Sequence, residues 1–164
     1  MKPQWPADWS ERVRGKECPM CAEGRPDEVH GNVRIATGSF SDAFLVRNDV
    51  GQPGYSVVIW RGGRHVSDPT ELSKDEASAY FEEVLRVGRA IEKHYRFIAG
   101  GEPPATPLGN SLPHLHTHVV PRYLDDGEPG HPAHFMRADL EGEPKIPEQA
   151  YARDLAALRE LLRD

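Results

Sequence analysis

The nine residues His114-Leu115-His116-Thr117-His118-Val119-Val120-Pro121-Arg122 place three histidines at alternate positions. Successive side chains of a β-strand point to opposite faces, so the three imidazoles would share one face and Leu115, Thr117 and Val119 the other. Burying three such rings in a core would demand a hydrogen-bond partner for each. The stretch therefore predicts a strand that carries a functional site, with an exposed histidine-rich edge strand or a bare metal site as alternatives.

The spacing of the three rings argues against a single metal ion that binds all of them. At a rise of ~3.3 Å per residue, the Cα atoms of His114 and His118 would lie roughly 13 Å apart. A tetrahedral zinc ion with bonds of ~2.0–2.1 Å to imidazole nitrogen cannot gather all three rings from a straight strand. We therefore expect a division of labour, in which one ring reacts, a neighbour holds charge and a third is available as a ligand.

The flanks of this row favour phosphorus chemistry. Gly109-Asn110-Ser111 precedes it and Arg122 ends it, which adds an amide, a hydroxyl and a guanidinium to the imidazoles. Such donors suit the non-bridging oxygens of a phosphate. An imidazole nitrogen is also a competent nucleophile at phosphorus.

Apolar runs predict the other strands of the fold. They lie at residues 33–36, 43–46 and 55–60, and the histidine strand is placed at 114–121. A helical region separates the third strand from the histidine strand. This order indicates an α+β fold with an antiparallel sheet.

Two helices are predicted from capping and periodicity. Ser73 and Glu76 have the spacing of a capping box. The helix that follows is expected to run for about 22 residues, with His94 on its surface near the carboxyl end. Its core-facing stripe is predicted to comprise Ala77, Phe81, Val84, Gly88, Ile91 and Tyr95. The second helix is predicted at 147–162, with Tyr151, Leu155, Leu158 and Leu162 on one side.

Composition and charge limit the classes of partner. The chain has 164 residues, enough for about one domain, and 26 acidic against 20 basic residues give a net charge of -6. A polymeric nucleic acid is therefore a poor partner, whereas a small anionic ligand in a locally positive pocket is not excluded. No apolar run approaches the ~20 residues of a membrane span, and the first residues contain no apolar signal segment. We expect a cytoplasmic protein without a membrane partner.

The two cysteines of the chain, Cys18 and Cys21, are separated by two residues. In a reducing compartment such a pair is more often a metal clip or a redox pair than a structural disulfide. The spacing alone leaves that choice open.

Taken together, these motifs resemble the histidine triad (HIT) superfamily. His114 to Val120 is similar to the family signature of three histidines alternating with apolar residues, with Thr117 at a position that is usually apolar. Four further landmarks follow the family's order: Cys18-Pro19-Met20-Cys21, Pro53-Gly54-Tyr55 with Tyr in place of the usual His, Arg64-His65-Val66-Ser67, and Gly109-Asn110-Ser111.

The resemblance implies a fold and a division of the chain. The expected fold is α+β, with an antiparallel sheet of about five strands, one long helix and a C-terminal helix. Residues 1–17 would form an N-terminal arm, 18–135 the HIT domain and 136–164 a C-terminal extension. Members of the family are usually dimeric, so a homodimer is expected.

The resemblance also assigns roles at the site. His116 would attack the α-phosphorus and form a nucleotidyl-histidine, and His118 would hydrogen-bond a non-bridging oxygen. Ser111 would contact the leaving group, and Asn110 would hold the phosphate. The backbone carbonyl of His114 would fix the tautomer of His116 and leave its other ring nitrogen free to attack.

In zinc-containing relatives, two N-terminal cysteines join the turn histidine and the first histidine of the triad. The corresponding residues here are Cys18, Cys21, His65 and His114. Four protein ligands leave no open position on a tetrahedral ion, so the zinc would be structural. It would fix the strand that carries His116.

One substrate contact departs from the family pattern. Many relatives place an Asp or Asn before the Pro-Gly turn, where it binds ribose hydroxyls, and by spacing that position is Arg47 here. Either Asn48 or Asp49 would take this place after a slip in register, or the ribose contact is absent; Asn48 is the candidate that we carry forward. Arg122 is a further candidate, for a distal phosphate or for an acidic neighbour.

The function implied is that of a nucleotide hydrolase or nucleotidyltransferase that cleaves a phosphoanhydride bond, with a dinucleoside polyphosphate as the substrate type. Hydrolysis of a nucleoside phosphoramidate and phosphorolysis use the same residues and stay as alternatives. From other classes, we keep a nucleotide-binding module without turnover and a metal-dependent hydrolase with an open site.

Overall fold

The computed structural model of the chain describes residues 7–47, 53–99, 114–121 and 146–163. Its helices are α1 (Trp9–Val13), α2 (Pro19–Ala22), α3 (Lys74–Ala99) and α4 (Glu148–Leu161), with a 3₁₀ turn at Pro69–Glu71. Its strands are β1 (Glu28–Val29), β2 (Asn32–Thr37), β3 (Ser41–Leu45), β4 (Ser56–Trp60) and β5 (His116–Val119). Among these described helices, none combines the length and apolar composition that crossing a bilayer requires.

The five strands form one antiparallel sheet in the order β1-β2-β3-β4-β5. The predicted α+β class and the four predicted strands are confirmed. β1 was not predicted, because two residues carry no measurable periodicity. It joins β2 through His30 and Gly31, whose φ angles of 49° and 79° are those of a tight hairpin turn.

Both faces of the sheet are covered by apolar residues, so β3 and β4 are buried throughout. On one face, Val58, Trp60 and Leu115 pack with α3 and α4 in the main core. The opposite face carries a smaller cluster of Phe44, Val46, Val57 and Ile59, against which Met20, Val29 and Tyr55 pack. This smaller cluster lies on the face of the candidate site.

The capping box of α3 is confirmed. The Ser73 N–H donates to Glu76 Oε2 at 2.8 Å, and the Glu76 N–H donates to Ser73 Oγ at 3.3 Å. The helix has 26 residues rather than about 22. The prediction for Phe81 was wrong, since that ring is 44% exposed and Tyr80 is buried instead.

Tyr80 replaces Phe81 in the core because its hydroxyl reaches polar partners in the sheet. It donates to the Val58 carbonyl oxygen at 3.0 Å and lies 3.0 Å from Thr117 Oγ1. The same contact explains the polar residue at position 117, since a threonine among apolar neighbours needs a hydrogen-bond partner.

The helix α4 is confirmed at its predicted position and packs on α3 and β2. The buried Asp154 accepts hydrogen bonds from Tyr95 Oη and His94 Nε2, both at 3.0 Å. His94 was predicted at the surface, and this was wrong: its side chain is 13% exposed because it pairs with Asp154. The division of the chain at residues 18 and 135 stays a prediction.

Candidate active site

His116 lies on β5, the last strand of the sheet within the described residues, and the backbone fixes its tautomer. Its Nδ1 is 2.7 Å from the carbonyl oxygen of His114. A carbonyl oxygen only accepts, so Nδ1 carries the proton and Nε2 keeps its lone pair. Burial lowers the pKa of His116 below its ordinary value, although the hydrogen bond to His114 opposes this. The neutral ring is the form that can act as a nucleophile.

His118 stands beside His116 on the same face, with ring centroids 4.9 Å apart at an interplanar angle of 78°. Its Nδ1 is 2.6 Å from the phenolic oxygen of Tyr55. Burial, followed by the charge of His116, lowers the pKa of His118 to about 4. Burial also raises the pKa of Tyr55, which therefore keeps its proton.

A cavity of ≈ 390 Å³ opens over this face of the sheet. Its floor is apolar and comprises Phe44, Val46, Val57 and Ile59, with Met20 at its side. His116 and His118 lie at the end formed by β5, and polar residues of the β1–β2 end lie opposite. An apolar cavity of this size with a few convergent polar groups is typical of a small-molecule site.

Cys18, Cys21, His65 and His114 lie together, with one potential ligand atom from each and all four atoms within 4.8 Å of one another. His114 Nδ1 is 3.5 Å from Cys18 Sγ and 3.6 Å from Cys21 Sγ, and His65 Nδ1 is 3.4 Å from Cys21 Sγ. With bonds of ~2.3 Å to sulfur and ~2.0–2.1 Å to nitrogen, the sulfur–nitrogen edge of a tetrahedral zinc site is about 3.6 Å. The four residues therefore fit a tetrahedral ion.

The protonation states of this cluster agree with metal binding. His114 Nε2 donates to the Trp60 carbonyl oxygen at 2.9 Å, which directs the lone pair of Nδ1 towards the thiols. Burial lowers the pKa of His114 to about 4, so its ring is neutral. Burial, followed by the neighbouring Cys18, raises the pKa of the Cys21 thiol to about 11. A thiolate at Cys21 therefore needs the positive charge of a bound ion.

Gly15 lies directly against His65, one of the four residues of this cluster. It has a φ of +85°, and a Cβ at this position would lie 2.6 Å from Cγ of His65. The α1–α2 turn therefore packs directly on the imidazole of His65. Only glycine satisfies both the backbone conformation and the close approach.

A buried ionic network, which the sequence analysis missed, holds α2 against the sheet. Asp42 is fully buried and accepts from Arg25 Nε at 3.1 Å and from Arg25 Nη2 at 2.8 Å. The side chain of Arg61 is 4% exposed and its Nε lies 3.8 Å from the same carboxylate, while the guanidinium donates to the carbonyl of Met20 and to Glu23. The signal was an aspartate within an apolar strand run, since a buried charge requires partners.

Four of the predicted site residues, Asn48, Asn110, Ser111 and Arg122, lie outside the described residues. The structure brings the remaining ones together in two adjoining groups. One is the pair His116 and His118 on β5, and the other is the cluster of two cysteines and two histidines to which His114, just before β5, belongs.

Arg47, the position at which the family resemblance leads one to expect a ribose contact, is not among the described residues that line the cavity. Its guanidinium donates to Glu148 at 2.7 Å and lies 4.7 Å from the ring centroid of Tyr151. Both partners belong to α4, on the opposite face of the sheet from the histidines. A contact with ribose from Arg47 is therefore excluded in this conformation.

Comparisons with known sequences agree with the geometry. The HIT domain family model matches residues 39–125, more than half of the chain. The AP-4-A phosphorylase of Mycobacterium tuberculosis is 31% identical over 75 residues. That match covers 45% of this chain and only 38% of the phosphorylase.

Solved structures show the same fold. A histidine triad protein from Bradyrhizobium japonicum superposes with a TM-score of 0.62 at 18% identity, covering 85% of this chain and all of that one. A histidine triad protein from Sinorhizobium meliloti gives 0.59 at 20% identity, with coverages of 80% and 90%. One from Sulfolobus tokodaii gives 0.58 at 17% identity, with coverages of 88% and 91%. With the histidine strand, the five-stranded sheet and the family match in agreement, this chain belongs to the HIT domain family.

Proposed function

We propose that the protein is a nucleotide hydrolase or nucleotidyltransferase that cleaves a phosphoanhydride bond through a nucleotidyl-His116 intermediate. The observation that carries the proposal is the 2.7 Å contact between His116 Nδ1 and the His114 carbonyl oxygen. It leaves Nε2 of a neutral imidazole unprotonated at the end of a cavity of ≈ 390 Å³.

In the first step, the lone pair of His116 Nε2 forms a bond to the α-phosphorus. The anhydride P–O bond breaks, and its electron pair leaves with the departing phosphate oxygen. In the second step, water or inorganic phosphate attacks the phosphorus, and the N–P bond returns its electron pair to Nε2. Ser111 and Asn110 are the residues that we expect at the leaving group and at the phosphate.

His118 serves as a hydrogen-bond donor in this scheme. When the phenol of Tyr55 donates to Nδ1 of His118, the ring proton resides on Nε2. That N–H is then available to a non-bridging phosphate oxygen, where negative charge accumulates during attack.

The substrate type is supported by the relative whose printed name is AP-4-A phosphorylase. A dinucleoside polyphosphate presents the anhydride bond that the His116 chemistry requires, and either water or phosphate completes the cycle. Asn48 and Arg122 are retained as substrate-binding residues of the proposal. A homodimer in the cytoplasm is the expected form of the protein.

We assign Cys18, Cys21, His65 and His114 as ligands of a structural zinc ion. The closed set of two sulfurs and two nitrogens supplies a fixed support for the strand and no open coordination position. The role of the protein residues is to hold His114, whose carbonyl in turn orients His116.

The test is incubation with diadenosine tetraphosphate, with and without inorganic phosphate, followed by separation of the nucleotide products. Rapid quenching without acid should trap a labelled nucleotide on the wild-type chain. His116→Ala should bind nucleotide, retain its metal and give neither adduct nor product. Full turnover by this variant would exclude the mechanism, and tight binding by the wild type without adduct or product would identify a binding module instead.

A further inference from the structure

The end of the cavity opposite the histidines is polar, and the proposed mechanism makes no use of it. Glu23, His30 and Asn32 line this end, whereas the floor between them and His116 is apolar. Three strand spacings separate β5 from β2, or roughly 14 Å. A nucleotide whose phosphorus meets His116 would extend across the floor towards this polar end.

The carboxylate of Glu23 is held in place by a hydrogen bond from Arg61. Its Oε2 accepts from Arg61 Nη2 at 3.3 Å, and the Arg61 side chain is itself only 4% exposed and donates to the Met20 carbonyl. Glu23 lines the cavity, and its Oε1 lies 3.8 Å from His30 Nε2, which is too long for a direct hydrogen bond. The carboxylate therefore has acceptor capacity left for a ligand.

Asn32 presents a donor on the same rim. Its Oδ1 accepts the backbone N–H of Arg47 at 3.0 Å, which assigns the other amide atom as nitrogen. The Nδ2 group is therefore the donor that Asn32 can offer to a ligand in the cavity. The residue is anchored on β2, where it pairs with Val29 of β1, and both residues line the cavity.

We propose that this polar end selects guanine as the base of the nucleotide, an inference that rests on the proposed function. Guanine places two adjacent N–H donors, at N1 and N2, on the edge that would meet Glu23, and its O6 would accept from Asn32. Its rings would lie on the apolar floor beside Met20 and Phe44. Adenine offers one donor group and places the lone pair of N1 next to the carboxylate, which is repulsive.

The expected preference for GMP over AMP is estimated from the hydrogen bonds that guanine would donate to the charged carboxylate of Glu23. A hydrogen bond to a charged group contributes more than one between neutral groups, and an uncompensated carboxylate loses its solvation. Because the rim is partly open to solvent, we expect GMP to bind about tenfold to a hundredfold more tightly than AMP. IMP retains N1–H and O6 but lacks the amino group, and should fall between them.

The experiment is calorimetric titration of the zinc-loaded protein with GMP, IMP, AMP and CMP. Glu23→Gln should bring the affinities for GMP and AMP within about threefold, chiefly by weakening GMP binding. The matched control is Glu28→Gln, which removes the same charge from an exposed position on β1 and should leave the preference intact. Metal content and the unfolding temperature report whether each variant is folded.

Equal affinity of the wild type for GMP and AMP would overturn the inference without any variant. A guanine preference that survives in folded Glu23→Gln would overturn the role of the carboxylate. Turnover of diadenosine and diguanosine tetraphosphates is measured in parallel. Equal turnover of the two would refute base selection and leave the proposed function standing, whereas nucleotide binding without any turnover would refute the proposed function alone.

Discussion

The phenolic oxygen of Tyr55 lies 2.6 Å from Nδ1 of His118, across the pairing of β4 with β5. Burial raises the pKa of Tyr55 and lowers that of His118 to about 4. The pair is therefore a neutral phenol against a neutral imidazole at physiological pH. A histidine, the residue that the family resemblance leads one to expect at position 55, would itself titrate near neutrality.

Removing this hydroxyl should impair the proposed reaction. Tyr55→Phe keeps the ring but releases Nδ1 of His118, so the proton is no longer confined to Nε2. We expect kcat to fall about tenfold, which corresponds to the loss of one hydrogen bond of about 1.4 kcal/mol, with a smaller change in KM. Steady-state kinetics with a dinucleoside polyphosphate measures both parameters.

Tyr55→His serves as the rescue variant for that experiment. It restores a partner for His118 and should recover kcat at pH values where the new imidazole is neutral, and lose it as the pH falls. An unchanged kcat in Tyr55→Phe would show that the hydroxyl has no part in positioning His118. A loss in Tyr55→Phe that Tyr55→His does not recover at any pH would show that an imidazole cannot replace the phenol as the partner of His118.

The depressed pKa of His118 predicts a measurable titration. Its unfolded-state pKa is near 6.5, and its folded-state pKa is about 4 because burial disfavours the charged ring. Between these values the unfolded chain binds more protons, so the free energy of unfolding declines as the pH falls from about 6.5 towards 4. Titration of the ring carbons and protons by NMR checks this, and a value at or above 6.5 would contradict it.

Most of the fold could be predicted because its signals are local. The apolar runs gave β2 to β4, and the capping box at Ser73 gave the start of α3. The predicted stripe of α3 is right at Ile91 and Tyr95, which are buried, and wrong at Phe81. Sequence could not tell which of the adjacent Tyr80 and Phe81 faces the sheet, because both are aromatic and the choice depends on a hydroxyl partner in the sheet. His94 was misplaced for a similar reason, because its partner lies 60 residues away in α4.

At the site, too, residues with a sequence motif could be predicted, whereas contacts that depend on tertiary packing could not. The spacing of the histidines and the resemblance to the family identified the four residues that converge at the metal cluster, although Cys18 and His114 are 96 positions apart. The anchoring of Glu23 by Arg61 could not be read from spacing, because it depends on where α2 lies against the end of β4. Such contacts arise from tertiary packing and carry no motif of their own.

Loss of the proposed zinc should destabilise the protein before it affects chemistry. Cys21→Ser removes one ligand, and we expect about one equivalent of metal to be lost and the free energy of unfolding to fall by about 3 kcal/mol or more. Metal analysis and denaturant unfolding measure the two effects. His116→Ala, which changes no ligand, is the control and should keep its metal. Immediate loss of activity on adding a chelator, with the fold intact, would indicate an open catalytic metal instead.

Substituting two glycines that share a positive φ angle distinguishes the effect of the Gly15–His65 contact from the effect of backbone strain. Gly15 has a φ of +85° and Gly63 a φ of +78°, but a Cβ at Gly63 would meet nothing within 4 Å, whereas one at Gly15 would lie 2.6 Å from His65 Cγ. Gly63→Ala should cost about 1–2 kcal/mol, the price of the left-handed conformation alone.

Gly15→Ala should cost that amount and roughly 1–3 kcal/mol more, because the methyl group must displace the His65 ring or the α1–α2 turn. Displacement of the ring should also weaken metal retention in competition with a chelator, an effect that Gly63→Ala should not show. Denaturant unfolding at saturating zinc and chelator titration measure the two quantities. Equal destabilisation by both substitutions, with equal metal retention, would mean that the turn adapts and that Gly15 gives no support to His65.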